Sequence, residues 1–433
     1  MTERLVPYAP LFDAFAAADH ELYAVGGCVR DLVMGLPDRS DYDFTTSARP
    51  DDIERILRRG GFRVFPIGAR FGTIATLVGD TQVEITTYRA NEVYDEGSRH
   101  PEVVFGDELL EDLGRRDLSM NAMAMGLDGV IVDPYDGQRA IRNGVLEVPG
   151  GGYENTISIL RDDPLRLLRI ARFSARFGFR PTADTTRAAG VTAAALDEIS
   201  RERWKMEFDK LLATRHVGEG LLWLHETRAL GVVLPRLVDM GDLEAERLVD
   251  RLHRLPADAT MRWAIVVMAA ASGGADVLAT DKVTRAAVRD IATRFRFSND
   301  ETKRVHRLVD VTLDPVDLTT PWPAARLRRW VDEAGDDAED RLRVRAAWTL
   351  DAGVVEAAED RVGELQDLRA TEDPVPRMPK GLGDAIRVHF DLDRGPAIGR
   401  AMRAVREALL DGELANPPSI EACVAWLASK GDL

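Results

Sequence analysis

Two short motifs near the start of the chain carry residues suited to phosphate and metal chemistry. The first places Gly26 and Gly27 after an apolar run, with Arg30 three residues further on. Glycines let backbone N–H groups approach a phosphate closely, and arginine adds a planar cation. The second motif places Asp41 and Asp43 two residues apart, so that in an extended segment both carboxylates face one side and can bind a hard cation such as Mg²⁺. A phosphate-binding turn followed by paired carboxylates indicates nucleotidyl transfer.

The carboxylates in this part of the chain allow two interpretations. Asp41 and Asp43 also fit a solvated turn, because residues 38–41 have a turn-rich composition, but the upstream glycine motif favours a metal site. Glu84 lies in a run of apolar and β-branched residues. There it either completes a carboxylate trio around the metal or pairs with Arg89, and both interpretations stay open.

A third motif, at residues 112–122, combines Arg115, Arg116 and Asp117 with a small apolar segment that contains an asparagine. Guanidinium groups bind phosphate through two parallel hydrogen bonds, so this motif suits contacts to a triphosphate and a ribose. The alternative is a charged, exposed loop. The two upstream motifs favour the phosphate interpretation.

Further along, arginines recur at helical spacing, and we predict that they share one helix face: Arg166, Arg169, Arg172, Arg176 and Arg180. Asp163 and Pro164 predict the N-cap and first residue of this helix, and Gly178 predicts its end. Arginine stripes are usually solvated. This one has no interleaved acidic residues, so we predict that it faces a polyanion.

The composition is that of a globular protein. Of 433 residues, 45% are apolar and 30% charged, and this length predicts about two to four domains. Cys28 and Cys423 are the only cysteines and can form neither a disulfide framework nor a zinc site, so we predict a cytoplasmic protein. The apolar runs are too short to span a membrane, and we expect no membrane partner. The net charge of −16 argues against a DNA partner, although a local basic stripe can still bind a shaped RNA.

The pattern along the chain predicts an α+β fold. Residues 1–150 alternate helical and β-rich runs, with a helix at 50–59 and strands at 73–78 and 81–87. From about residue 157, helical periodicity prevails and strand-like runs all but vanish. The proline-rich segment 372–381 predicts an inter-domain linker.

These motifs stand in the order of the five motifs of class II tRNA nucleotidyltransferases, and the chain resembles that family. Its members are the CCA-adding enzymes, which share ancestry with bacterial poly(A) polymerases. The matching segments lie at residues 25–31, 41–43, 115–117, 163–173 and 202–207. The resemblance covers about residues 21–212 and is weaker beyond them.

The resemblance implies a role for each candidate residue. Asp41 and Asp43 match the catalytic Mg²⁺ ligands. The implied nucleotide-binding residues are Gly27 and Arg30 at the triphosphate, Arg116 and Asp117 near the sugar and phosphates, Asp163 and Arg166 as a protein template for the base, and Arg169 and Arg172 as further ligands. A last motif, with Glu202, Arg203 and Glu207, is implied to support the template helix.

A template made of Asp163 and Arg166 makes sense in terms of hydrogen bonds. Cytosine and adenine both present an amino donor beside a ring-nitrogen acceptor, which a carboxylate and a guanidinium can satisfy. Uracil and guanine present the reverse pattern and would leave both side chains unpaired. Such a pair can select C and A without a nucleic-acid template.

The resemblance implies a nucleotidyltransferase head of mixed β-sheet with helices, followed by an all-helical neck, body and tail. We place the head at residues 1–150, the neck with its template helix at 151–225, the body at 226–370 and an RNA-binding tail at 371–433. The implied activity is addition of CCA to the 3′ end of tRNA from CTP and ATP, by two-metal nucleotidyl transfer that releases pyrophosphate.

The sequence is also compatible with three alternatives: a poly(A) polymerase, an enzyme adding only CC or only A, and a non-catalytic RNA-binding relative. Residues 88–101 resemble the flexible loop that CC-restricted enzymes typically lack, and retained aspartates argue against the non-catalytic relative. Many members of the family also carry a His-Asp phosphohydrolase signature. This chain contains no His-Asp dipeptide, so we expect no second hydrolytic activity.

Overall fold

A computed structural model describes residues 2–37, 42–65, 72–89, 105–273, 279, 281–310, 317–375, 377–393 and 395–431. The chain divides into two compact units, Met1–Val238 and Asp239–Leu433. The predicted loop at 88–101 lies almost entirely outside the described residues, as does Asp41. The finer division into head, neck, body and tail stays a prediction.

The first unit begins with a mixed sheet whose order is β3-β4-β5-β2-β1-β6-β7. Its strands are β1 (Leu22–Val25), β2 (Asp43–Thr46), β3 (Val64–Phe65), β4 (Thr73–Val78), β5 (Thr81–Thr87), β6 (Ala124–Met125) and β7 (Ile131–Val132). Strands β2 and β5 run parallel, whereas the other neighbours in this sheet pair antiparallel. The strands predicted at 73–78 and 81–87 are confirmed.

Helices pack against both faces of this sheet; on the face opposite Phe44, Leu113 packs with Val25 and Ala124. The helices are α1 (Ala9–Ala16), α2 (Gly27–Val33), α3 (Pro50–Arg59), α4 (Leu109–Gly114) and α5 (Gly137–Asn143), and α3 confirms the predicted helix. Phe15 of α1 and Leu57 of α3 join Phe44 and Ile85 of the sheet in one buried cluster. Because side chains alternate along a strand, the residues between these apolar positions project to the opposite face.

The rest of the first unit is largely helical. It contains α6 (Tyr153–Asp162), α7 (Arg166–Phe177), α8 (Ala183–Thr192), α9 (Arg201–Leu212), α10 (Val217–Glu226) and α11 (Ala229–Val233). A short strand that the helical pattern did not predict, β9 (Arg180–Pro181), pairs in parallel with β8 (Val145–Leu146). This strand follows Gly178, whose φ of +70° ends α7 as predicted.

The predicted start of α7 is wrong. Asp163 directly follows α6, and α7 begins only at Arg166 with Leu165 as its N-cap. The turn between the helices is closed by the Arg166 N–H, which donates to the Asp163 backbone carbonyl at 3.0 Å. The Asp163 carboxylate instead accepts from the Leu165 N–H at 3.2 Å, so it stabilises this turn and does not cap α7.

Within the described residues, the second unit consists of helices joined by loops. They are α12 (Asp242–His253), α13 (Ala259–Ser272), α14 (Asp281–Arg294), α15 (Asn299–Val309), α16 (Ala324–Ala334), α17 (Ala338–Trp348), α18 (Ala352–Thr371), α19 (Leu382–His389), α20 (Pro396–Asp411) and α21 (Ile420–Lys430). Helices α16, α17 and α18 share one apolar cluster, and α19, α20 and α21 share another. The predicted linker at 372–381 connects these two clusters and lies inside the second unit. In the described part of the chain, no helix is both long and apolar enough to cross a membrane.

Helix α10 packs on α7 at a glycine. A Cβ at Gly220 would lie 2.4 Å from the backbone oxygen of Ala171 and 3.0 Å from the Cβ of Ala175. A backbone atom cannot give way as a flexible side chain can, so any larger residue must push the two helices apart. At Gly190, in α8, an added Cβ would meet nothing within 4 Å.

We expect opposite effects from alanine at these two glycines. Gly220→Ala should lower the free energy of unfolding by about 1–3 kcal/mol through overpacking, whereas Gly190→Ala should raise it by up to about 1 kcal/mol because alanine favours the helix. Urea denaturation of both variants measures this. Equal effects at the two positions would contradict the close packing of α10 on α7.

Candidate active site

The parallel pair β2–β5 brings two carboxylates together. Asp43 is the ladder partner of Glu84, and ladder partners on parallel strands about 4.8 Å apart project to the same face. Both residues are exposed, whereas Phe44 and Ile85, on the other face, are buried. The structure therefore places Glu84 beside Asp43, as the carboxylate-trio interpretation requires.

These two carboxylates alone do not make a complete metal site. Among the described residues, no three His, Cys, Asp or Glu side chains are grouped to hold a metal ion. Asp41, two residues before Asp43 in the chain, lies outside the described residues. Asp43 and Glu84 are thus a pair to which at least one further ligand must be added.

The glycine motif forms the turn between β1 and α2. Gly26 has φ +74° and ψ −125°, a conformation that side-chain-bearing residues rarely adopt, and Gly27 begins α2. A Cβ on Gly26 would lie 3.1 Å from Nη1 of Arg116. The structure therefore brings the predicted phosphate-binding turn and the predicted phosphate-binding Arg116 into contact.

Cys28 lies next to this turn, and its thiol is hydrogen-bonded to the strand before it. Its Sγ donates to the Val25 carbonyl at 3.2 Å. Burial and the neighbouring negative charge of Asp43 raise the pKa of the Cys28 thiol to about 12. The thiol is therefore neutral near pH 7.

Arg30 is buried beside the turn, where its Nη2 would lie 3.5 Å from a Cβ on Gly27. Only 4% of it is exposed, and it donates to Asp31 and Asn121, each at 2.7 Å. Its guanidinium lies 5.2 Å from the ring centres of both Phe173 and Phe177. Arg30 thus connects α2 with α7.

Asp117 is the centre of a second link to α7. Its Oδ1 accepts from the Asn121 amide at 2.8 Å, and its Oδ2 accepts from Arg169 Nε at 2.8 Å. Burial alone would raise the pKa of Asp117, but the charge of Arg169 and the hydrogen bonds from Asn121 and Arg169 outweigh it and lower the pKa to about 2. Asp117 therefore stays ionised while buried, and its charge is matched by Arg169.

The predicted arginine face is paired with carboxylates from other segments, so the expectation that these arginines lack acidic partners is wrong, whereas the expectation that they face a polyanion stays a prediction. Arg169 pairs with Asp117 at 2.6 Å, Arg172 pairs with Glu207, and Arg176 pairs with Asp31 at 3.1 Å. Arg180, predicted on the same face, lies in β9 outside the helix. The acids come from distant parts of the chain, which is why the sequence of α7 gives no sign of them.

The predicted template pair is engaged with protein groups. The Oδ2 of Asp163 accepts from Arg203 at 2.9 Å, and 30% of the Asp163 side chain is exposed. The two terminal nitrogens of Arg166 donate to the backbone oxygens of Ile159 and Arg115, at 2.8 and 2.6 Å. The structure brings both residues to one end of α7 but shows them in a protein-bonded arrangement.

Two of the three residues predicted to support this helix contact it or the turn before it. Glu207 is buried on α9 and pairs with Arg172 and Arg169, and Arg203 pairs with Asp163. Glu202 is exposed on the same helix. Helix α9 therefore supports α7 through charge pairs.

Three polar residues of this region lie inside the motifs but received no individual role from the sequence: Asp31, Asp112 and Asn121. Asp112 pairs with Arg116, and Asn121 bonds to Asp117, in both cases four residues apart. That spacing was a usable signal, because side chains four residues apart can meet along a helical turn. The partner of Asp31, Arg176, is far away in the sequence and left no such signal.

Two sequence families match the chain. The poly(A) polymerase head domain matches residues 22–147, which contain the sheet, the glycine turn and Asp117. A family described as the probable RNA and SrmB-binding site of polymerase A matches residues 178–240. The first match covers the predicted catalytic head, and the second begins just after α7.

The chain is also similar to whole enzymes. The CCA-adding enzyme of Geobacillus sp. is 33% identical over 401 residues, which cover 92% of this chain and 90% of that protein. The match to the CCA-adding enzyme of Geobacillus thermodenitrificans, at 37% identity over 247 residues, covers 57% of this chain and 58% of that relative. The crystal structure of the Bacillus stearothermophilus CCA-adding enzyme in complex with CTP has a TM-score of 0.77 and 27% identity, with 99% of this chain and 98% of that chain covered. On this evidence, the chain belongs to the family of CCA-adding enzymes.

Proposed function

We propose that the protein adds CCA to the 3′ end of tRNA, with CTP and ATP as substrates and pyrophosphate as the leaving product. The observation that carries this proposal is the position of Asp43 beside Glu84, both exposed on one face of the sheet. The turn after β1, in the same sheet, places Gly26 against Arg116. A transferase needs these groups together, since the reaction joins the 3′ hydroxyl of the tRNA to the α-phosphorus of the nucleotide and releases pyrophosphate, and the carboxylates would hold the metal beside the bound triphosphate. Similarity to an enzyme solved with CTP supports the nucleotide substrate.

We propose Mg²⁺ as the metal, with Asp41 and Asp43 as ligands and Glu84 as a third. Carboxylate oxygens are the ligands that Mg²⁺ takes in proteins, and the donor set contains no sulfur or imidazole that would favour another metal. Bound Mg²⁺ would supply positive charge for the attacking and leaving oxygens. The chain itself contributes position and charge rather than covalent chemistry.

We assign the triphosphate to the Gly26–Gly27 turn and Arg116. The amide groups at the start of α2 and the guanidinium that lies on them are both donors, as phosphate oxygens require. Arg169, with 35% of its side chain exposed, is proposed as a further nucleotide ligand. Arg30, Asp117 and Arg172, which the resemblance implied as nucleotide ligands, are buried, and we assign them instead to holding α7 in place.

We propose that Asp163 and Arg166 choose the base. The exposed part of the Asp163 carboxylate can accept from the amino group of C or A while Oδ1 keeps the Leu165 N–H. For Arg166, base pairing requires a guanidinium N–H to turn from a backbone oxygen toward the base.

We further propose that residues 371–433 bind tRNA and that the enzyme works in the cytoplasm, consistent with its two unpaired cysteines.

The experiment that tests the function uses three tRNA transcripts, which end before CCA, after C, and after CC. Each is incubated with the protein and one labelled nucleotide at a time. Addition of C to the first two and of A to the third supports the proposal. Repeated addition of A alone would identify a poly(A) polymerase, C or A alone a partial enzyme, and no addition a non-catalytic relative.

Removing the metal-binding carboxylate should stop all three additions. We expect Asp43→Ala to lower kcat for both CTP and ATP by about a thousandfold, because a bound metal contributes several kcal/mol to such transfers. Affinity for tRNA, measured by filter binding, should change little. Asp80→Ala, an exposed aspartate in the turn between β4 and β5, is the matched control and should keep full activity. Near-normal turnover of Asp43→Ala at saturating Mg²⁺ would rule out the metal assignment.

Replacing the template carboxylate should relax base choice. Asp163→Ser keeps an acceptor for the Leu165 N–H but loses the acceptor for the base, so UTP and GTP should gain about one to two decades relative to CTP. Relative efficiencies of the four nucleotides measure this. Arg203→Gln removes the ion-pair partner of Asp163 and should keep the original ranking. Unchanged selectivity in a folded Asp163→Ser protein would refute the template role and show that Asp163 only stabilises the turn before α7.

A further inference from the structure

Asp112 is a buried carboxylate that joins three segments of the head. It lies in α4 with 7% of its surface exposed. Its Oδ2 accepts from Arg116 Nη2 at 3.0 Å and lies 3.3 Å from Thr45 Oγ1. Its Oδ1 accepts from the backbone N–H of Arg89 at 3.3 Å. One side chain therefore binds a strand, the end of another strand and an arginine.

The three residues that Asp112 contacts each lie close to a residue of the candidate active site. Thr45 follows Asp43 by two residues on β2, so both side chains lie on the same face of the sheet. Arg89 comes just after β5, the strand that carries Glu84. Arg116 is the guanidinium that lies on the Gly26 turn.

The contact with Arg116 fixes the direction of its guanidinium. Nη2 is held by Asp112, and Nη1 lies at the Gly26 turn. A long arginine side chain has many rotamers, and ordering it when a ligand binds costs free energy. A partner that orders it beforehand removes this cost from nucleotide binding.

We propose that Asp112 is a positioning residue for nucleotide binding, which holds Arg116 on the Gly26–Gly27 turn in the orientation that the triphosphate of CTP or ATP needs. This inference rests on the proposed function, because it takes Arg116 as a triphosphate contact. Asp112 touches no substrate and acts through Arg116. It should therefore affect the affinity for nucleotides more than the rate of transfer.

A double-mutant cycle of Asp112→Asn and Arg116→Gln tests this. Asparagine has the shape of aspartate and its oxygen can still accept from the Arg89 N–H, but its amide nitrogen replaces the oxygen that accepts from Arg116, so the contact that holds Arg116 is lost. Asp112→Asn should raise KM for CTP by about three- to tenfold, the cost of ordering one long side chain, with kcat changed by less than about twofold. In the Arg116→Gln background the same change should leave KM nearly constant, because contacting residues are not additive.

The matched control is Asp107→Asn, which removes an exposed head carboxylate that pairs with Arg49 and should leave KM unchanged. An equal rise of KM in both Arg116 backgrounds, or a fall in kcat alone, would overturn the inference. If circular dichroism shows that Asp112→Asn does not fold, Asp112→Ser enters the same cycle. Absence of CMP incorporation by the wild-type protein would refute the proposed function, whereas a titration of the same variants with fluorescent CTP would still decide the role of Asp112.

Discussion

Charge matching in a buried interface holds the arginine-rich helix α7 in place. Asp117 and Glu207 are almost fully buried, and a buried carboxylate without a partner costs several kcal/mol. Each is matched by a guanidinium from α7. Since Asp117 also bonds to Asn121, which accepts from Arg30, the position of α7 is tied to the helix that follows the glycine turn. The distance between the candidate template residues and the candidate phosphate site depends on these pairs.

The same arrangement explains why basic residues are found at this site in a protein with a net charge of −16. Much of the positive charge of α7 is used inside the protein. Arg116 differs, because one of its terminal nitrogens lies at the glycine turn while the other is held by Asp112. The positive charge available to a nucleotide is thus local and directed, and need not dominate the field of the whole molecule.

Local patterns were sufficient for many elements. Helix α3 and strands β4 and β5 follow directly from acidic and proline residues at a helix start and from β-branched runs around a two-residue turn. Gly178 ends α7 because it can adopt a positive φ. The prediction of Asp163 as an N-cap was wrong because the preceding helix, α6, ends at Asp162. Asp163 therefore lies in the turn between two helices, where its carboxylate accepts from the Leu165 N–H. A capping pattern does not show what lies before it.

Local sequence patterns could not predict the contacts between distant segments. Nothing near Arg172 or Arg176 in the sequence indicates Glu207 or Asp31 as their partners. Asp43 and Glu84 likewise lie side by side only because β2 and β5 are neighbours in the sheet. The alternation of apolar and polar residues along each strand does not determine this strand order. The candidate residues themselves could be named from their motifs, because glycine, arginine and aspartate have specific chemistry at short spacing. Which of them face each other required the fold.

The parallel pairing of β2 with β5 has a consequence for how the site comes into being. Parallel neighbours cannot be joined by a tight turn, and here the chain between them contains α3, β3 and β4. Asp43 and Glu84 therefore meet only after the whole excursion has been made and docked, and such long-range pairings are slow to form. A chain folded as far as β2 but not β5 would present Asp43 without Glu84. The carboxylates are thus paired only when β5 docks beside β2, and neither strand alone provides the candidate metal site.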